Sequence, residues 1–200
     1  MKITDIKQQV KRKDRYSIFI DGKYSFALSE GKLLELGLAI GQEFDKTQLE
    51  TAKDEAHLDK AVYSVMDLIS RRPRSGWEIK DYLKRKGYEA SEIEQVVKLL
   101  SEKGYVNDLD FARRWVESRR LLKSTSKRKL RLELMQKRVS EEAITKVLED
   151  DETDEAEVLE ELIAKKRSQT RYQDREKLIA YLLRQGFNYS DIKSVIGFTD

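Results

Sequence analysis

The residues most able to do chemistry lie in one run, "RRLLKSTSKRKLRLELMQKR", residues 119–138, which holds nine basic side chains and a single acidic one. Arg119, Arg120, Lys123, Lys127, Arg128, Lys129 and Arg131, interleaved with Ser124, Thr125 and Ser126, are the side-chain types that contact phosphate oxygens or acidic protein surface. The backbone N–H groups at the start of the following helix would add to the same field. The competing reading is a solvated helical face, the usual fate of charge runs, and composition alone leaves the two evenly matched. Two smaller basic spots accompany it. In "RRPRS" Pro73 fixes a turn and Ser75 caps the next helix, which would hold Arg72 and Arg74 on a rigid corner, and "DFARRWVESRR" supplies Arg113 and Arg114. Phe111 and Trp115 of that segment are at helical spacing and read as core.

Catalytic chemistry finds no comparable signal. His57 is the single histidine and sits in a polar helical stretch. There is no cysteine, no glycine loop of phosphate-binding type and no nucleophile motif, so the expectation is a binding protein without cofactor or metal. The acidic run 149–161 lacks the alternating ligands and central glycine of a calcium loop, and reads as a solvated linker entering a helix.

Charge is distributed unevenly. Residues 1–56 hold 10 basic and 10 acidic side chains, residues 57–148 hold 22 and 14, and residues 149–161 hold none and 9. A basic middle followed by an acidic stretch suits a chain that meets a polyanion on one surface only. At 39% apolar and 38% charged residues, with one proline, the composition favours helices in small bundles. No apolar leader or membrane-length run is present, so a cytoplasmic protein is expected, and the modest apolar content argues for a monomer.

The elements that must position these residues follow from pattern. "RYSIFI" and "KYSFAL" flank Asp21-Gly22, a hairpin signature, and "KITDIKQQV" offers a third strand. Ser29 reads as the N-cap of a short helix through Leu36, and Thr47 with Glu50 as a capping box opening a helix that runs through Ile69. From there the chain is helical and repetitive. Ile79, Leu130 and Leu178 align, as do Leu83, Leu134 and Leu182; Ile93, Ile144 and Ile192; and Val96, Val147 and Val195. Ser75, Ser126 and Asp174 share one cap position, and Gly87 and Gly186 end the middle helix where the second copy has Arg138. A three-helix unit covers its apolar face only in part, and stacked units cover one another. The expected fold is mostly α: a tandem array of three three-helix repeats forming an elongated curved molecule, with a small N-terminal β-hairpin region. Its expected boundaries are 1–46, 47–105, 106–150 and 151–200.

The segments "RYSIFIDGKYSFALSE", "RRPRSGWEIKDYLKRKG" and "EKGYVNDLDFARRWVESR", followed by a basic helix, together resemble the RecX family of bacterial RecA regulators. The most specific positions are Arg72, Arg74, Ser75, Leu83, Gly87, Gly104, Asp108, Phe111 and Ala112. The resemblance spans nearly the whole chain and departs from the family pattern at Ser124–Ser126 and Arg138, where glycines are usual. It implies a non-enzymatic protein that binds along the groove of the RecA filament on single-stranded DNA, restraining recombination, ATP hydrolysis and co-protease activity. Arg72, Arg74, Arg113, Arg114 and the basic residues of 119–138 would face acidic protein or DNA phosphates there. The alternative is a helical repeat protein that binds nucleic acid directly, without RecA.

Overall fold

The computed structural model describes residues 1–197. Strands β1 (Ile3–Gln8), β2 (Arg15–Ile20) and β3 (Lys23–Ser29) form an antiparallel sheet in the order β1-β2-β3. The β2–β3 turn is built by Asp21 and Gly22, both at positive φ (48° and 78°), as a tight right-twisted hairpin requires. Ser29 caps α1 (Glu30–Glu35) by accepting the Lys32 N–H. Helix α2 (Lys46–Arg71) begins two residues before the expected box. Asp45 accepts from Gln48 N at 2.8 Å and Gln48 Oε1 accepts from Asp45 N at 3.0 Å, so the capping box is Asp45/Gln48 and not Thr47/Glu50.

The remaining helices are α3 (Gly76–Arg85), α4 (Ala90–Glu102), α5 (Asp108–Leu122), α6 (Lys127–Gln136), α7 (Glu141–Glu149), α8 (Glu155–Arg167), α9 (Arg175–Arg184) and α10 (Tyr189–Ile196), with a 3-10 turn at Thr170–Tyr172. Two compact units result, one of Met1–Arg72 with Ile79–Tyr105, the other of Pro73–Glu78 with Val106 onward. In the first, Ile3, Ile18, Ile20, Phe26 and Leu28 of the sheet close on Leu49, Ala52 and Ala56 of α2. A buried ion pair lies beside this core: Arg15 Nη1 is 3.2 Å from Asp59 Oδ2, and Asp59 also accepts from Ser29 N. In the second, one core joins α5, α6 and α7 and another joins α8, α9 and α10.

The three-fold repeat is visible in burial. Ile79, Leu130 and Leu178 are 0%, 0% and 2% exposed, and Leu83, Leu134 and Leu182 are each 0% exposed. The shared cap position does more than end a helix. Ser126 Oγ accepts from Lys129 N and donates to the carbonyl of Gln185, the C-cap of α9, at 2.7 Å. Ser75 Oγ accepts from Glu78 N and donates to the carbonyl of Lys137, the C-cap of α6, at 2.9 Å. Both hydroxyls are fully buried, and both joints lie within the second unit, to which the first turn of α3 belongs.

Each joint sets a helix N-terminus against the C-terminus of another helix, the favourable order of the two dipole ends. A second contact flanks each at equivalent positions: Lys137 Nζ to Glu78 Oε1 at 2.9 Å, and Lys129 Nζ to Gln185 Oε1 at 2.6 Å. The residue that turns the chain after each middle helix is left-handed whatever its identity, Gly87 after α3 at φ 86°, Arg138 after α6 at 56° and Gly186 after α9 at 91°. The sequence departure at Arg138 is therefore absorbed as backbone strain of about 1–2 kcal/mol and leaves the turn unchanged. Gly186 has less latitude, because a Cβ there would lie 2.5 Å from Ser126 Oγ, whereas Gly87 faces open space.

Ser126→Ala removes a cap and orphans a buried carbonyl, and is expected to cost about 2–3 kcal/mol in urea unfolding. Asp174→Ala removes a cap and an exposed ion pair with Lys177 but orphans no carbonyl of another helix, expected at about 1 kcal/mol. Gly186→Ala should destabilise more than Gly87→Ala in the same assay, since both bear the left-handed backbone but only one meets Ser126.

Candidate functional site

The basic run straddles the end of α5 and all of α6. Asn107 starts α5 by accepting from Leu109 N and Asp110 N, and Asp108 accepts from Gly76 N at 2.7 Å, tying α5 to the start of α3. Helix α5 ends at Lys123, residues 123–126 lead to the Ser126 cap, and α6 follows.

The expected cations divide by what they touch. Arg119 Nε donates to Glu133 Oε2 at 2.7 Å with its guanidinium 4.5 Å from the Trp115 ring, and Trp115 Nε1 donates to the same carboxylate at 2.9 Å. Arg120, its side chain 11% exposed, reaches Asp151 Oδ2 through Nη2 at 2.6 Å and also donates to the Thr125 carbonyl. Lys127 Nζ donates to the Asp151 carbonyl at 2.6 Å, and Lys129 Nζ is held by Gln185. These four brace the second unit. Arg131 pairs with Glu141 while remaining partly exposed. Arg113 lies 3.8 Å from Asp150, Arg114 lies 3.4 Å from Asp110, and both are largely exposed. Arg74 pairs with Glu78 at 3.9 Å, and Arg72 is the extended C-cap of α2. Lys123 and Arg128 are exposed, and their side chains have no partner among the described residues.

Lys127, Arg128 and Arg131 are brought together along a cleft of about 320 Å³ that Thr145, Leu148 and Glu149 of α7 complete. Four apolar side chains of α5 and α6 are also turned to solvent: Leu121 at 86% exposed, Leu122 at 73%, Leu132 at 51% and Met135 at 48%. Cations and exposed apolar groups on the same two helices suit a protein surface better than bare phosphates. The sequence reading missed these leucines, although an adjacent pair just before a helix break was a signal available to it.

The acidic run is more than a solvated linker. Asp151 is buried against Arg120, and Asp154 caps α8 by accepting from Ala156 N. Burial pushes the Asp151 carboxyl up, but hydrogen bonds from Thr153 and Arg120, together with the guanidinium charge, outweigh it and leave the pKa below the ordinary value. His57, in the first unit, is 52% exposed on its side chain, with Nε2 3.3 Å from Glu92 and its ring against Tyr88.

Residues 1–45 match the Regulatory protein RecX N-terminal domain, and residues 61–100, 107–148 and 152–196 match the first, second and third three-helix domains of RecX. A Regulatory protein RecX of Listeria monocytogenes is 32% identical over 195 residues, covering 94% of this chain and 71% of its own length. The chain belongs to the RecX family. A RecX of Clostridium botulinum is 29% identical and covers 98% of this chain and 94% of its own length. The crystal structure of a regulatory protein RecX superposes with a TM-score of 0.73 at 27% identity over 98% of both chains. The crystal structure of RecX from Lactobacillus salivarius shares the fold, with a TM-score of 0.60. RecX relatives are named as regulatory proteins and not as enzymes. No described helix is long and apolar enough to cross a membrane.

Removing one member of the Arg120–Asp151 pair leaves a buried charge unmatched, so Arg120→Ala is expected to cost about 3 kcal/mol at pH 7. A depressed folded pKa gives stability that is complete above the unfolded value near 4 and is lost as pH falls through the folded value. The gap between wild type and Arg120→Ala in thermal unfolding should therefore narrow below pH 4.

Proposed function

We propose that this chain regulates the RecA recombinase by binding the filament that RecA forms on single-stranded DNA, within its groove, and so restrains recombination, ATP hydrolysis and co-protease activity. The observation that carries this reading is RecX-family membership along four consecutive segments, joined to a basic surface that is free of internal work at only some of its cations. Lys123 and Arg128, with Arg131 and the exposed Arg113 and Arg114, would meet acidic protein or phosphate, while Leu121 and Leu122 would meet apolar RecA surface. Arg72 and Arg74 would contribute at the start of α3. The action is steric and electrostatic: the bound chain occupies space needed by an incoming subunit or duplex. No group in it has to react.

The test is RecA ATP hydrolysis on single-stranded DNA titrated with this protein, beside its binding to the same DNA alone. Hydrolysis should fall at concentrations well below those that coat the free DNA. Lys123→Glu/Arg128→Glu should weaken inhibition about tenfold or more with unchanged thermal stability, since neither side chain holds the fold together. Reversal at Lys127 would be less informative, because it also loosens Asp151. Unchanged inhibition by the double variant overturns the assignment of this surface. Inhibition only at DNA-coating concentrations would favour direct nucleic-acid binding instead.

A further inference from the structure

The first unit holds a cationic groove of its own. On α2, Lys53, His57 and Lys60 recur at helical spacing on the side turned to β3, the strand at the edge of the sheet. Together with Tyr24, Ser25, Phe26 and Ala27 of β3, and with Gln9, Arg12 and Arg15, they line a groove of about 380 Å³ that no carboxylate among the described residues lines. Arg15 forms a rigid floor, its charge matched by the buried carboxylate of Asp59. It is 3% exposed, Nη2 donates to Ala27 O at 3.0 Å, and Nη1 faces Asp59 without any acceptor in hydrogen-bonding geometry.

The charges above that floor are not equally spent. Lys53 is paired with Glu50 at 2.8 Å and His57 with Glu92 at 3.3 Å. Arg12 lies over the Tyr63 ring at 5.2 Å, Lys60 projects into solvent, and neither has a carboxylate partner among the described residues. Beside them Tyr24 is 59% exposed, its ring held edge-on by Phe19 at 6.1 Å. An oriented, solvent-facing aromatic ring next to unpaired cations is the combination that receives stacked bases and the phosphates between them. An acidic peptide would satisfy the cations and leave the ring unused.

We infer that this groove is a contact site for single-stranded nucleic acid, with Arg12 and Lys60 on phosphates and Tyr24 under a base. The site lies on the N-terminal sheet and α2 and does not rest on the regulatory reading above, because it is measured with no recombinase present. The experiment is fluorescence anisotropy of the full chain with a labelled oligothymidylate across a salt series. Arg12→Glu/Lys60→Glu should weaken binding about tenfold or more and reduce the log–log salt slope by about 1.4, two phosphates at about 0.7 each. Tyr24→Ala should weaken it about tenfold while leaving the slope in place. Arg12→Gln/Lys60→Gln repeats the test without introduced acids, and circular dichroism confirms that each variant is folded. Absence of binding by the wild type overturns the inference. So does unchanged affinity in the charge variants, loss confined to Lys123→Glu/Arg128→Glu, or loss of polyglutamate binding with oligothymidylate binding intact.

Discussion

A serine hydroxyl at the start of a helix, made to serve two helices at once, is the constraint on which the second unit depends. Ser75 and Ser126 each accept a hydrogen bond from their own first turn and donate one to the last carbonyl of another middle helix. Neither hydroxyl has access to water. A buried hydroxyl that could do only one of these things would leave a carbonyl or an N–H without a partner, so the register between helices is fixed to within a hydrogen bond's tolerance. Apolar contact alone would permit sliding. Asp174 occupies the same place in the third repeat, accepts from Glu176 N and Lys177 N, and as a carboxylate has nothing to donate.

The same economy governs the charges. The net of the basic run is shared between cations that hold α5 and α6 to the following segment and cations that face outward. Arg120 pairs with the Asp151 carboxylate and Lys127 donates to the Asp151 carbonyl, so the acidic stretch that seemed to oppose the basic one in fact ties down its inner members. What a partner would meet is a thinner set of charges set among exposed leucines. That mixture favours recognition of a particular protein surface over indiscriminate attraction to polyanions.

Much of this was legible in the sequence because the informative signals are local. Asp21-Gly22 announces the hairpin, the aligned Leu83, Leu134 and Leu182 announce the repeat, and Ser75 and Ser126 mark helix starts by type alone. The family resemblance rests on the same residues. The errors came where two local patterns compete or where the partner is distant. Asp45-x-x-Gln48 and Thr47-x-x-Glu50 both satisfy the capping-box pattern, and only the path of the chain from Phe44 chooses between them. Arg120 and Lys123 look alike in a list of cations, and nothing near them says that Asp151 will neutralise one and leave the other. The groove between Arg12, Tyr24 and Lys60 was invisible for the same reason, since its walls come from separate elements in a stretch whose total charge is balanced.

The close approach of Gly186 to Ser126 carries an evolutionary consequence. With a prospective Cβ and an existing hydroxyl separated by 2.5 Å, any drift from glycine must be answered by retreat at the serine, and the reverse substitution must wait for the glycine. The joint at Ser75 tolerates Arg138, so its two members are free to diverge separately. Along a lineage the first pair should therefore be inherited as a single character and the second as two, although both joints make the same hydrogen bond.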